Sequence, residues 1–178
     1  MKTTRVVLLL VCATVCSAQT APGSTAAANP ADVKSVDAIM AAVYDVISGP
    51  PGPRNWDRFR SLFAPQATLA AVFKKKDGTT AYEVMSPDEY IKNDEPYFLK
   101  EGFFENEIAR RSENYGGITS VWSTYASRHT KTGEPFERGI NNFQLINDGK
   151  RWSVLSILWQ GESPDNPIPP QYLKDERK

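Results

Sequence analysis

Hydrophobic positions change their period once along this chain, and the change divides the folded part in two. Between Asp32 and Ser48 apolar residues recur at three- and four-residue spacings, at Val36, Ile39, Met40, Val43 and Ile47. That spacing predicts a helix capped by Asp32. The run Gly49-Pro50-Pro51-Gly52-Pro53 stops it, because proline has no N–H with which to continue the bonding. A short helix over Trp56–Phe63 puts Trp56, Phe59, Leu62 and Phe63 on one side. Ala67–Phe73 then reads as a strand, Lys74-Lys75-Lys76-Asp77-Gly78 as a solvated hairpin turn, and Thr79–Met85 as the returning strand. Ser86-Pro87-Asp88-Glu89 predicts a third helix start, with Ser86 as cap, Pro87 in the first turn and Glu89 closing a capping box. This helix carries Tyr90, Ile91, Phe98 and Leu99, reaches Pro96 as a possible kink, and ends near Gly102.

From Phe103 onward the period is two. Strands are expected over Phe103–Glu113, Ile118–His129, Phe136–Ile146 and Trp152–Gln160, joined by Gly116-Gly117, the Thr132–Pro135 loop and Asn147-Asp148-Gly149. Strands this long, joined this tightly, form an antiparallel meander that curls because sheets twist. The expected architecture is α+β, a cone in which N-terminal helices pack into the concave face of a strongly curved antiparallel sheet. The final strand is apolar on both alternating sets, Val154 and Leu158 on one and Leu155, Ile157 and Trp159 on the other. One set can face the helices; a second copy of the chain, docked on the outer sheet face, would cover the other.

The ends read differently. Lys2 and Arg5 precede the apolar run Val6–Val11, and the small residues Cys16-Ser17-Ala18 follow, which is the order of a secretory signal over residues 1–18. The run is about half the length of a membrane span. Residues 19–31 are Ala, Pro, Gly, Ser, Thr and Asn without charge from Thr20 on, which predicts a linker. Residues 163–178 hold Pro164, Pro167, Pro169 and Pro170 and are expected to run extended over the surface, leaving 32–162 as the folded domain. Loss of the signal removes Lys2, Arg5 and both cysteines, Cys12 and Cys16, and turns the balance of 21 basic and 21 acidic residues into 19 against 21. A near-neutral chain argues against nucleic acid as a partner. One histidine and no retained cysteine leave little for a metal, and no glycine-rich phosphate loop or nucleophile elbow occurs, so neither metal nor cofactor is expected. The expected protein is exported, periplasmic or secreted, and makes no membrane contact after signal removal.

The element order, with Trp56-Asp57, Leu62-Phe63-Ala64-Pro65-Gln66-Ala67-Thr68-Leu69, Gly139-Ile140-Asn141-Asn142-Phe143-Gln144-Leu145 and Gly149-Lys150-Arg151-Trp152-Ser153-Val154, resembles the nuclear transport factor 2-like superfamily. The resemblance covers nearly all of 32–162 and implies the cystatin-like cone. It does not fix a chemistry, because this fold hosts lyases, isomerases, hydrolases, transport factors and silent binders. Ketosteroid isomerase, a member, implies a general-base Asp on the first strand, but the matching interval from Phe63 reaches Ala71. It also implies a Tyr oxyanion donor on the first helix, where Tyr44 lies. Dehydratases of the scytalone type use two histidines, and this chain has one.

Candidate chemistry therefore comes from the residues themselves. Glu105 and Glu107 share a strand face, as do Arg111 and Glu113, and paired carboxylates can split their pKa values for acid/base work. Simple alternation favours a polar outer face for them. Candidate proton carriers are Asp57, Tyr125 and His129, although Asp57 reads first as a helix cap and His129 first as an exposed rim residue. Asn142 and Gln144 alternate with Ile140 and Ile146, and buried amides need partners, from a ligand or from Ser156 or Tyr125. With Trp56, Tyr97, Phe98, Trp122 and Trp159 they form the candidate binding set for a small apolar or amphipathic molecule. The expectation is a small-molecule binder, with a cofactor-independent lyase, isomerase or hydrolase and a ligand-free interaction module as alternatives.

Overall fold

The computed structural model describes residues 27–176. The signal segment, both cysteines and most of the linker lie outside the described residues. Two helices occupy the stretch expected as one. α1 (Pro30–Val33) is capped by the Asn29 side chain, and α2 (Val36–Ile47) by Ser35, whose Oγ accepts from the Ala38 N–H at 3.1 Å. Asp32 is therefore inside the first turn rather than a cap. Its carboxylate instead pairs with Arg58 at 2.8 Å. α3 (Trp56–Ser61) is capped by Asn55, not by Asp57. α4 (Pro87–Phe98) has the full capping box of Ser86 and Glu89, and it ends two residues after Pro96, which has no N–H to donate to the turn before it.

Six strands form one sheet in the order β2-β1-β6-β5-β4-β3. They are β1 (Phe63–Lys74), β2 (Thr80–Met85), β3 (Phe104–Tyr115), β4 (Ile118–Arg128), β5 (Glu137–Asn147) and β6 (Trp152–Gly161). All neighbours are antiparallel except β1 and β6, which run parallel, so the sheet is mixed. Gln66 takes a left-handed φ of 61° where β1 shifts register against β6. The buried side of α2, from Ile39 to Ile47, lies with Phe143, Leu145, Val154 and Ile157 in the core.

Two bulges decide which side chains face that core. In β3, Glu107 stands opposite Tyr125 and Ala109 opposite Thr124, so Ile108 is the extra residue. In β6, Gln144 pairs with Ser156 and Leu145 with Val154, so Leu155 is extra. This breaks the simple alternation: Val154, Ile157 and Trp159 face inward, whereas Leu155 and Leu158 are both exposed outside.

The tail crosses the outer sheet face. Ile168 is buried, the Tyr172 ring lies 5.4 Å from Trp122, and the Tyr172 carbonyl accepts from Thr124 Oγ1 at 2.5 Å. A single 3-10 turn, Pro170–Tyr172, interrupts its extended course. The chain thus covers part of the outer face with its own tail, and leaves Tyr82, Val84 and Leu158 exposed there. No described helix is long and apolar enough to cross a membrane.

Candidate functional site

A cavity of about 230 Å³ opens between α2, α4 and the concave side of the sheet. For scale, an apolar cavity of about 150 Å³ holds a benzene molecule. Val43, Ile47, Leu69 and Ile157 supply its aliphatic wall, and Phe59, Phe98, Phe103, Phe143 and Trp159 its rings. α4 presents Tyr90, Asp94, Tyr97 and Phe98 to it, the i, i+4 and i+7/8 spacing of one helical face. Against this wall stand the polar groups Tyr44, Asp94, Glu105, Tyr125, Ser127, Glu137 and Asn141.

Glu105 is placed by its backbone and its side chain together. Ser48, at the end of α2, donates to the Tyr44 carbonyl at 2.7 Å and accepts from the Glu105 N–H at 3.0 Å, which ties the helix end to β3. The carboxylate then accepts from Ser127 Oγ at 2.7 Å and from Asn141 Nδ2 at 3.3 Å. Burial among apolar walls raises the Glu105 pKa from its usual 4.5 to about 7, against the lowering by these two donors. Asp94, on the α4 side, is raised to about 6, by burial first and by Glu83 on β2 second. Its carboxylate makes no hydrogen bond or ion pair among the described residues.

A directional chain of hydrogen bonds runs away from Glu105 into the sheet. Arg110 and Glu107 form a buried ion pair at 2.6 Å, each side chain 7% exposed, and Arg110 reaches Asp37 at 2.5 Å. Ser123 Oγ donates to Glu107 at 2.5 Å, so it accepts from Tyr44 at 2.7 Å, and Asn141 Nδ2 donates to the Tyr44 oxygen at 3.1 Å. Burial holds the Tyr44 hydroxyl well above the usual phenol range, so it stays a donor. Tyr125 donates to Glu137 at 2.7 Å and is likewise raised, by burial first. Gly139 makes room for that ring: a Cβ there would come within 2.6 Å of the Tyr125 hydroxyl and 2.4 Å of the Gln160 carbonyl. The Tyr90 hydroxyl lines the cavity, is raised by burial and then by Asp94 and Glu105, and donates to no described residue.

Of the residues singled out in the sequence, Tyr97, Phe98, Tyr125 and Trp159 line this cavity together. Trp122, Asn142 and Gln144 do not; they lie on the outer face, in a groove beside the tail or next to it. Gln144 donates to Asn142 at 3.0 Å and to Ser120 at 3.1 Å, so each amide finds its partner in the sheet. Trp122 and Tyr125 have opposite parity on β4 and cannot share a face. Trp56 sits behind Phe98, at 5.8 Å between rings, and donates to Glu95 at 2.7 Å. Asp57 is on the surface, its side chain 80% exposed beside Arg60. His129 is exposed, stacked on Phe136 at 4.3 Å outside the cone.

Glu105 and Glu107 face inward, not outward as alternation from the strand ends suggested, because the Ile108 bulge shifts the phase and brings Arg110 inside with them. Asn141, rather than Asn142, is the buried amide. The signal for both was the inward row of β4: Thr119, Ser123 and Ser127 are too polar for a dry core and require buried partners. Among the described residues no group of His, Cys, Asp and Glu side chains converges to hold a metal.

Neither a family model nor a curated protein matches the sequence. Solved structures do resemble the fold. A protein of unknown function with a cystatin-like fold from Nostoc punctiforme superposes with a TM-score of 0.55 at 9% identity, over 75% of this chain and 92% of that one. A "putative ketosteroid isomerase" from Parabacteroides distasonis gives 0.49 at 10% identity, over 79% and 98%. An NTF2-like protein of unknown function from Methylobacillus flagellatus gives 0.45 at 12% identity, over 72% and 95%. The chain has a cystatin-like fold, the cone that its element order led us to expect.

Proposed function

We propose that the cone binds a small, largely apolar molecule and that Glu105 moves a proton on it, as a cofactor-independent isomerase or lyase. The observation that carries this is a carboxyl group facing an apolar cavity with a pKa near 7, where it can both take and return a proton. Ser127 and Asn141 hold it in place, and the uncommitted Tyr90 hydroxyl is a neutral donor for an oxygen that gains charge as the proton leaves. Ala71, where the resemblance to ketosteroid isomerase implies a base, has no acidic function, so the base sits on β3 instead. The proposal includes export, on the charged, apolar and small-residue order of residues 1–18, and a homodimer through the exposed part of the outer sheet face around Tyr82, Val84 and Leu158.

One- and two-ring ketones incubated in D2O, followed by NMR, test the proton transfer. Deuterium should enter beside the carbonyl of at least one cavity ligand, and Glu105→Gln should slow this by about 100-fold or more. Exchange at equal rates in both proteins, with a ligand bound, would leave a binding protein without this chemistry.

A further inference from the structure

The charge lining of the cone is one-sided. Nine aromatic rings and three carboxylates, Asp94, Glu105 and Glu137, line it, and no lysine, arginine or histidine does among the described residues. An anionic ligand would meet three carboxylates in the lining, with burial strengthening the repulsion, and the Arg54 guanidinium is committed to loop carbonyls behind the Phe98 ring. A neutral ligand seated against Asp94 would take water from a carboxylate that has no hydrogen-bond or ion-pair partner among the described residues, and would return at most a hydrogen bond and no counter-charge. A metal ion is a poor fit, because the three carboxylates do not converge. What satisfies both the rings and the lone carboxylate is a positive charge carried on an apolar body, which aromatic faces attract through their quadrupoles. The molecule already makes one such contact: the Arg54 guanidinium lies 5.1 Å over the Phe98 ring, on the side of the 49–53 loop whose carbonyls it binds.

We propose that the cone selects an amphipathic organic cation, a one- or two-ring amine whose ammonium pairs with Asp94 while its apolar body fills the space toward Phe143 and Ile157. This rests on the cone being a ligand site, and it names the class of ligand. Asp94 lies one turn from Tyr90 on the same α4 face, so an ammonium held there leaves the rest of the ligand beside Tyr90 and Glu105. Asp94 is thus a specificity residue, distinct from the proton-transfer residue on β3.

Calorimetric titration at pH 7.5 with three isosteric probes, naphthylmethylammonium, naphthylmethanol and naphthoate, tests the inference. The ammonium should bind at least ten-fold more tightly than the alcohol, and the carboxylate should not bind. Asp94→Asn should bring the ammonium down to the alcohol's affinity while the alcohol binds as before, which also shows that the variant is folded. If the alcohol matches the ammonium in the wild-type protein, the cation preference is wrong and the cone remains a ligand site. If none of the three binds, the cone as a ligand site fails as well. Should Asp94→Asn bind nothing, the wild-type ranking alone decides.

Discussion

Glu105 and Ser127 stand directly opposite each other across the β3–β4 ladder, and the serine hydroxyl donates to the carboxylate at 2.7 Å. This bond favours the ionised form and works against the burial that raises the acid. Ser127→Ala should therefore push the Glu105 pKa above 7, by about one unit for a lost charge-assisted bond. Infrared difference spectra would show it as a protonated carboxyl band that persists to higher pH than in the wild-type protein.

Because the Glu105 pKa is higher in the fold than in the unfolded chain, its contribution to stability has a definite sign. It is fully present below about pH 4.5 and is lost as pH rises through about 7. Glu105→Gln removes this loss. Urea unfolding at pH 8 should find the variant more stable than wild type, by at most an amount on the order of 3 kcal/mol, and the two similar near pH 4.

The Glu107–Arg110 pair is buried on both sides, and removing Arg110 takes the guanidinium from a buried carboxylate that Ser123 alone does not neutralise. Arg110→Met should cost about 3–5 kcal/mol by chemical denaturation, whereas the double variant with Glu107→Met should recover much of it. The double variant also deprives Ser123 of its acceptor and so frees the Tyr44 hydroxyl to turn. Equal stability of Arg110→Met and wild type would show that water reaches the pair.

Gly139 is the point where the sheet admits the Tyr125 ring. Gly139→Ala has no room on either side, against the Gln160 carbonyl or against Tyr125, so the ring must leave Glu137. Overpacking of this kind costs about 1–3 kcal/mol. Thermal unfolding measures the cost, and near-ultraviolet circular dichroism should report the displaced tyrosine.

Most of the element order was legible in the sequence from start and stop signals such as the Ser86–Glu89 box and the Asp77-Gly78 turn, whereas the break between α1 and α2 at the Ser35 cap was not. The cavity wall was partly legible, since Tyr97 and Phe98 lie on a helix and Trp159 on a strand expected to enclose the cone. The acids were not. A bulge is one residue that pairs with nothing, and no local signal marks Ile108 or Leu155 as that residue, yet each reverses the facing of everything beyond it. The parallel junction of β1 with β6 also depends on contacts far apart in the chain. The prolines of the tail exclude regular bonding, but nothing local marks Ile168 and Tyr172 as the residues that pack on the sheet as extended chain.

The proposed role of Glu105 as an acid/base group in a ligand-binding cone rests on where its carboxyl titrates. A pH titration of carbon-13-labelled glutamate carboxyls by NMR, with Glu105→Gln identifying the resonance, tests it most directly. The expected midpoint is near 7 and moves when a cavity ligand is added. A midpoint in the ordinary carboxylate range, unmoved by any ligand, would contradict it.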